Sequence, residues 1–203
     1  MIEKRIFHTF TDGLAFVVSA LFSPYITAMI FVAAITYNYA QNLSQFLPWI
    51  ITFIGFGVLI PGLYSLWLLE TRKITDFHIS ALEERRKPFI AAGLSALVGT
   101  IILVFLGAAR PVIVMAVVYT INTLAVAFIT QFWKISIHTA LFSAVVTVAV
   151  ILFGPTWAWF YLILIPLSWS RIHRRRHTIW QATAGAMLAF ILTAAVFWIF
   201  GYF

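Results

Sequence analysis

The chain has 203 residues, of which 63% are hydrophobic and only 9% charged, with a formal net charge of +7. Soluble proteins carry roughly a quarter charged residues, so this composition excludes an ordinary globular domain and predicts an integral membrane protein. With no cysteine the chain holds no disulfide or thiolate site, and its basic residues cluster at apolar edges, which argues against a nucleic-acid-binding face.

A spanning helix needs about 20 apolar residues. By that measure the chain predicts an all-α fold, a polytopic membrane helix bundle with six to seven transmembrane helices in a single domain, residues 1–203. The first run, 14–37, lacks the small-residue cleavage pattern of a removable signal peptide and reads as a retained helix. The second is 47–69, with Pro61-Gly62 expected to kink it. After a polar segment, 70–88, a third run covers 89–109, and Pro111 starts a fourth that ends near Trp133. Residues 134–138 form a polar break before a fifth run, 139–153, and Gly154-Pro155 turns the chain. The stretch 157–169 is short for a span, and fits only if Pro155 and Ser170 lie within the interface. The last run begins near Thr178 and continues to the end of the sequence.

Seven spans would place every lysine and arginine except Arg110 on one membrane face. By the positive-inside rule that face is cytoplasmic, with the C-terminal residues outside. Neither an internal repeat nor a low-complexity linker divides the chain.

Three polar clusters then share this face. The first runs from Asp76 to Pro88 and carries Glu83-Glu-Arg85-Arg-Lys87. The second is Lys134-Ile-Ser136-Ile-His138, and the third is Ser170-Arg-Ile-His-Arg-Arg-Arg-His177-Thr-Ile-Trp-Gln181. If the third is helical, or folds back into a helix at His177, then His177 and Gln181 lie one turn apart on one face. Arginines crowded this closely repel one another unless an anion is bound, and a guanidinium fork matches phosphate oxygens two at a time. Histidines at span boundaries, several cations and few carboxylates suit phosphoryl transfer, in which one imidazole attacks phosphorus and another protonates the leaving oxygen. The inventory suits zinc hydrolysis poorly, because His173 and His177 are embedded in arginines and no third ligand stands near them in sequence.

Ser170-Arg171, five residues, His177, three residues and Gln181 resembles the third signature motif of the type 2 phosphatidic acid phosphatase superfamily, Ser-Arg-x5-His-x3-Asp. Ser136-Ile-His138 resembles the second, Pro-Ser-Gly-His, and Glu84-Arg85-Arg-Lys87-Pro88 loosely resembles the first, Lys-x6-Arg-Pro. Thr75-Asp-Phe, Glu83-Glu-Arg, Lys134-Ile-Ser-x-His and His177-Thr-x-x-Gln are similar to elements of a divergent bacterial subgroup. The resemblance implies a phosphatase-like core over approximately 70–200 and a place in a bacterial inner membrane. It implies His177 as the nucleophile forming a phosphohistidine and His138 as the general acid. Arg171, Arg85 and either Lys87 or Lys134 would hold the phosphate, with a hydrogen bond from the Ser136 region. Neither metal nor cofactor would be needed, and the partners would be membrane lipids and a phospholipid or polyprenyl phosphate substrate. Gln181 stands where the motif has the aspartate that orients the nucleophile; its amide oxygen accepts from an imidazole N–H but brings no charge. Asp76, Glu83 or Glu84 could supply that charge from another loop.

Plainer readings exist for each cluster. Arg171 to Arg176 taken alone resemble a stop signal whose side chains reach lipid headgroups. Lys134 and His138 could cap a helix, and Asn122 and Gln131 could bond between helices. The coincidence of two motif-like clusters in the same order favours a lipid phosphatase. The principal alternative is a protein of the same scaffold that binds or transports a lipid phosphate without hydrolysing it, Gln181 marking the loss. A retinal protein would need a buried lysine in the last span, and a prenyl transferase would need aspartate-rich magnesium sites; neither is present in the sequence.

Overall fold

The computed structural model describes residues 9–76, 79 and 81–203. Lys4 and Arg5, and Phe77, His78 and Ser80 of the first polar cluster, lie outside the described residues. Among the described residues all regular structure is helical. Five helical stretches are long and apolar enough to cross a membrane, and Ile137–Phe153 is a shorter apolar sixth.

The first predicted span divides in two. Helix α1, Phe10–Leu21, opens on a capping box in which the Thr9 hydroxyl accepts from the Asp12 N–H and the Asp12 carboxylate accepts from the Thr9 N–H. It ends before Ser23-Pro24, where the Ser23 hydroxyl caps α2, Pro24–Tyr39. Proline fits that position because the first helical N–H has no intrahelical acceptor.

The second predicted span is continuous, but its irregularity comes before the proline rather than at it. Helix α3, Leu43–Ile54, passes through a π-turn, Gly55–Leu59, into α4, Ile60–Glu70. Pro61 has no N–H to give the Gly57 carbonyl, and the Tyr119 hydroxyl donates to it instead, at 2.7 Å. The Ser95 hydroxyl donates to the neighbouring Phe56 carbonyl, also at 2.7 Å. The wider π-turn is thus held by hydroxyls from the two helices packed beside it.

Helices α5, Arg86–Phe105, and α6, Arg110–Ile129, form an antiparallel pair bridged by the Thr100 and Thr120 hydroxyls at 3.0 Å. Helices α7, Ile137–Phe153, and α9, Ile179–Ile199, run parallel. The Thr139 hydroxyl donates to the Ala182 carbonyl and the Ser143 hydroxyl to the Ala186 carbonyl, each at 2.8 Å. Such contacts replace the hydrophobic drive that lipid cannot supply between helices. They need close backbones. A Cβ on Gly185 would meet the Ser136 carbonyl at 2.6 Å.

Because α7 and α9 are parallel, the chain must travel the length of the bundle between them. It does so in a 3-10 segment, Pro155–Ile163, followed by α8, Leu164–His173. A 3-10 helix rises about 2.0 Å per residue against about 1.5 Å for an α-helix, so this stretch covers roughly 33 Å. The tighter helix resolves the length problem that the sequence posed. Val114, Val118, Val148, Val196 and Phe197 form the buried centre where α6, α7 and α9 meet. Leucine, isoleucine, phenylalanine and tryptophan side chains cover the outside, as the lipid-facing surface of a bundle requires.

Candidate functional site

Three helices begin at the same end of the bundle, and each begins on a candidate residue. Arg85 is the N-cap of α5, Ser136 caps α7 two residues before His138, and His177 immediately precedes Thr178, the N-cap of α9. The Ser136 N–H donates to the Gln181 carbonyl at 3.1 Å, which fixes α7 and α9 at equal height. Helix N-termini carry partial positive charge from unpaired backbone N–H groups, so this end attracts anions before any side chain is counted.

A cavity of about 540 Å³ opens here, with Arg85, His138, Arg171, Arg174 and His177 among its lining residues. The rest of its wall is mostly apolar, reaching past Phe53, Val118 and Tyr119 to the π-turn at Gly57. Arg85 is 3% exposed; its Nε donates to the Ile79 carbonyl at 2.9 Å and its Nη1 to the Ile135 carbonyl at 3.3 Å. Burial lowers its pKa to about 10, opposed by nearby Asp76. Arg171 is 6% exposed and donates from Nη1 to the Ser19 hydroxyl at 2.6 Å, while its buried Nε has no hydrogen-bond partner among the described residues.

The third cluster folds back rather than continuing as one helix. Helix α8 stops at His173, and Arg175 takes a left-handed conformation, φ 51°. The Arg176 N–H then donates to the Arg171 carbonyl at 3.0 Å, and α9 starts after Thr178. This turn buries His177 to 8% exposure beside Arg171. Burial, then Arg171, Arg85 and Lys134, push the His177 imidazole down to about 3, with Gln181 opposing them. A neutral ring is the form that attacks an electrophile, and its Nδ1 is buried without a hydrogen-bond partner.

The cavity brings together His138, His177, Arg171 and Arg85; the other candidates stand outside its lining. Lys134 is half-buried, its pKa lowered by burial and by Arg85, Arg176 and Arg171, with Asp76 opposing. Ser136 is fully buried as a helix cap, its hydroxyl accepting from the Thr139 N–H. The amide oxygen of Gln181 accepts from the Thr178 N–H at 3.1 Å and completes a capping box. Lys87 is exposed in the first turn of α5. Glu84 closes its own loop, accepting from the Thr75 N–H and hydroxyl at 2.9 and 3.1 Å. Among the described residues no group of histidine and carboxylate side chains has the form of a metal site. Asn122 and Gln131 bond mainly within α6, and Asn122 also reaches the Thr193 hydroxyl of α9 at 3.4 Å.

One wall of the site escaped the sequence reading. Helix α1 lies against α8: Asp12 pairs with His173 at 2.9 Å, Phe16 lies under the Arg174 guanidinium at 5.2 Å, and Ser19 holds Arg171. The signal was present in Thr9-x-x-Asp12 and Ser23-Pro24, start and stop marks that make a short helix out of a long apolar run.

Fold and composition together define an all-α integral membrane protein with a basic cavity at one end of the bundle. Compared with protein-family models, curated proteins and solved structures, the chain has no match.

Proposed function

We propose that this chain is a membrane lipid phosphatase that works through a phosphohistidine, as its resemblance to the type 2 phosphatidic acid phosphatases implies. The observation that carries the reading is the shared cavity of His138, His177, Arg171 and Arg85, residues scattered over almost half the sequence. The chemistry balances without a co-reactant other than water. A nitrogen of neutral His177 attacks phosphorus, the bond to the leaving oxygen breaks, and His138 gives that oxygen its proton. Water, deprotonated by His138, then attacks the phosphohistidine, releasing inorganic phosphate and restoring both imidazoles. Arg171 and Arg85 hold the equatorial oxygens and offset the charge that builds there.

A substrate with apolar tails suits the apolar remainder of the cavity: phosphatidate, phosphatidylglycerol phosphate or a polyprenyl diphosphate. The clustering of the basic residues supports a cytoplasmic site. The test is phosphate release from a panel of these lipids by the purified protein, with no metal added. Wild type is expected to turn over at least one lipid, and His177→Ala none while remaining folded.

A second reading, a lipid-phosphate binder without turnover, is favoured by one observation. The charged groups that act on His177 are all cations, and the Gln181 oxygen also serves the Thr178 N–H. It predicts binding with no released phosphate, and some activity on Gln181→Asp.

A further inference from the structure

We propose that Ser19, on α1, is a positioning residue for the phosphate-binding arginine, and that the site is therefore completed by the N-terminal helix. The inference rests on the phosphatase reading above and extends it to a part of the chain outside the resembling motifs. Arg171 offers five N–H donors in a rigid plane, and two edges of that plane can grip an anion with paired bonds. One is the outer edge, Nη1 with Nη2; the other is the side edge, Nε with Nη2. Ser19 takes one of the two N–H groups of Nη1 at 2.6 Å and so competes for the outer edge. The side edge is the fork left for two phosphate oxygens, and its Nε is buried without a partner among the described residues.

Ser19 suits this task because it cannot move. It is 3% exposed, on a helix that packs against α8 through Phe16 and Arg174 as well as through Ser19 itself. Asp12 and His173 add only an exposed pair near the start of α1, and the Ser23 hydroxyl caps α2 just beyond its end. Ser19, Phe16 and Ser23 all line the same cavity as Arg171. A neutral hydroxyl is also the right chemistry. A carboxylate at that place would neutralise the guanidinium that must meet the phosphate, whereas a hydroxyl accepts one bond and leaves the charge intact. The bond from Nη1 to Ser19 favours one orientation of the guanidinium. The ordering cost is met before the ligand arrives, which shows as tighter binding.

The experiment uses the full-length protein in detergent, with orthovanadate as the phosphate mimic, and measures both its inhibition constant and the turnover of a lipid phosphate. Ser19→Ala is expected to raise KM and the vanadate inhibition constant together by about tenfold, with a smaller change in kcat. Ser19→Thr keeps the hydroxyl and is expected to restore both. Asp12→Ala removes the exposed pair with His173 and the carboxylate half of the α1 capping box, and should leave both within about twofold. Unchanged vanadate affinity in Ser19→Ala would overturn the proposal while leaving the phosphatase reading intact. Equal losses in Asp12→Ala and Ser19→Ala would overturn it too, since docking of the helix, and not the hydroxyl, would then be what matters. Wild-type protein that neither hydrolyses the lipid nor binds vanadate would remove both readings at once. Should Ser19→Ala fail to fold, the threonine variant decides: a tenfold loss there, with the hydroxyl kept, overturns the proposal, and wild-type constants support it.

Discussion

At the end of the bundle away from the cavity, Arg110 donates to the Phe200 carbonyl and lies over the Tyr202 ring at 5.5 Å. At the cavity, Arg171 is buried, gives one nitrogen to a serine hydroxyl and keeps Nε without a partner. Both arginines sit at helix ends in a membrane protein, yet only the first is placed as structural need alone would place it. Arg110 stays exposed, stacks its plane on an aromatic ring and finds a backbone acceptor. Arg171 bears the cost of burial without a carboxylate bonded to it, an arrangement that becomes favourable when an anion completes it. The contrast separates a charge that finishes a helix end from a buried one that, under the proposed function, meets a phosphate.

The sharpest way to break that contrast is to remove His177, the proposed nucleophile, and the distant arginine in parallel. Under the proposed mechanism His177→Ala lowers phosphate release by a factor on the order of 10³ or more, whereas Arg110→Ala stays within about threefold. Both are followed by phosphate assay, with circular dichroism to confirm the helical fold. Arg171→Lys keeps the charge and loses the fork, and is expected to cost about a hundredfold in kcat/KM. Arg110→Lys should be near wild type.

A third comparison sets two glycines against each other. Gly185→Ala places a Cβ 2.6 Å from the Ser136 carbonyl and 3.1 Å from the Thr139 hydroxyl, so the two site-bearing helices must separate. A loss of about 1–3 kcal/mol follows, read as a lowered Tm, together with lost activity. Gly13, on α1, meets nothing within 4 Å, and Gly13→Ala should leave Tm unchanged or raised.

The acid side of the pH scale gives a subtler separation. His177 is held down to about 3, so its ring stays neutral well below the usual histidine value of about 6.5. Acylation of His177 by diethylpyrocarbonate, which needs the neutral ring, should therefore hold its rate from pH 7 to pH 5, while a solvated histidine loses most of its reactivity. The sign for stability follows from the same shift. Because the folded value lies below the unfolded one, His177 favours the fold above about pH 6.5, and that contribution is lost as pH falls toward 3. The smallest effect belongs to Tyr119→Phe, which strips the Gly57 carbonyl of its donor and should cost about 1 kcal/mol.

Much of the bundle was legible because hydrophobic length is a strong signal in a chain with so few charges. The starts of α5, α7 and α9 were marked by Arg85-Arg-Lys-Pro88, Lys134-Ile-Ser136 and His177-Thr178, where polarity changes abruptly. What the spacing could not carry was direction. Ser136 looked like a phosphate donor, but a serine before an apolar run is also a helix cap, and that use won. Gln181 sits three residues after Thr178, which is capping-box spacing as much as motif spacing. Lys87 follows Arg85 by two residues, too few for two side chains to share a helix face, so burying one exposes the other. The role of α1 was hidden for a different reason: an apolar run reports that a helix is buried in something, and not whether that is lipid or another helix.

The π-turn at Gly55–Leu59 has a consequence for how this cavity could have been shaped. A widened turn of this kind accommodates one residue more than a regular helix would hold, and each residue of an α-helix is worth about 100° of rotation. Deleting Gly55 would let the ladder close regularly with Pro61 and Ser65, both cavity-lining, still on the face they now occupy, so the local change would fall on Gly57 and Val58, which line the cavity at the turn itself. The far wall of the cavity would change its shape there while the cationic end stayed as it is, so the two ends of the cavity can vary independently.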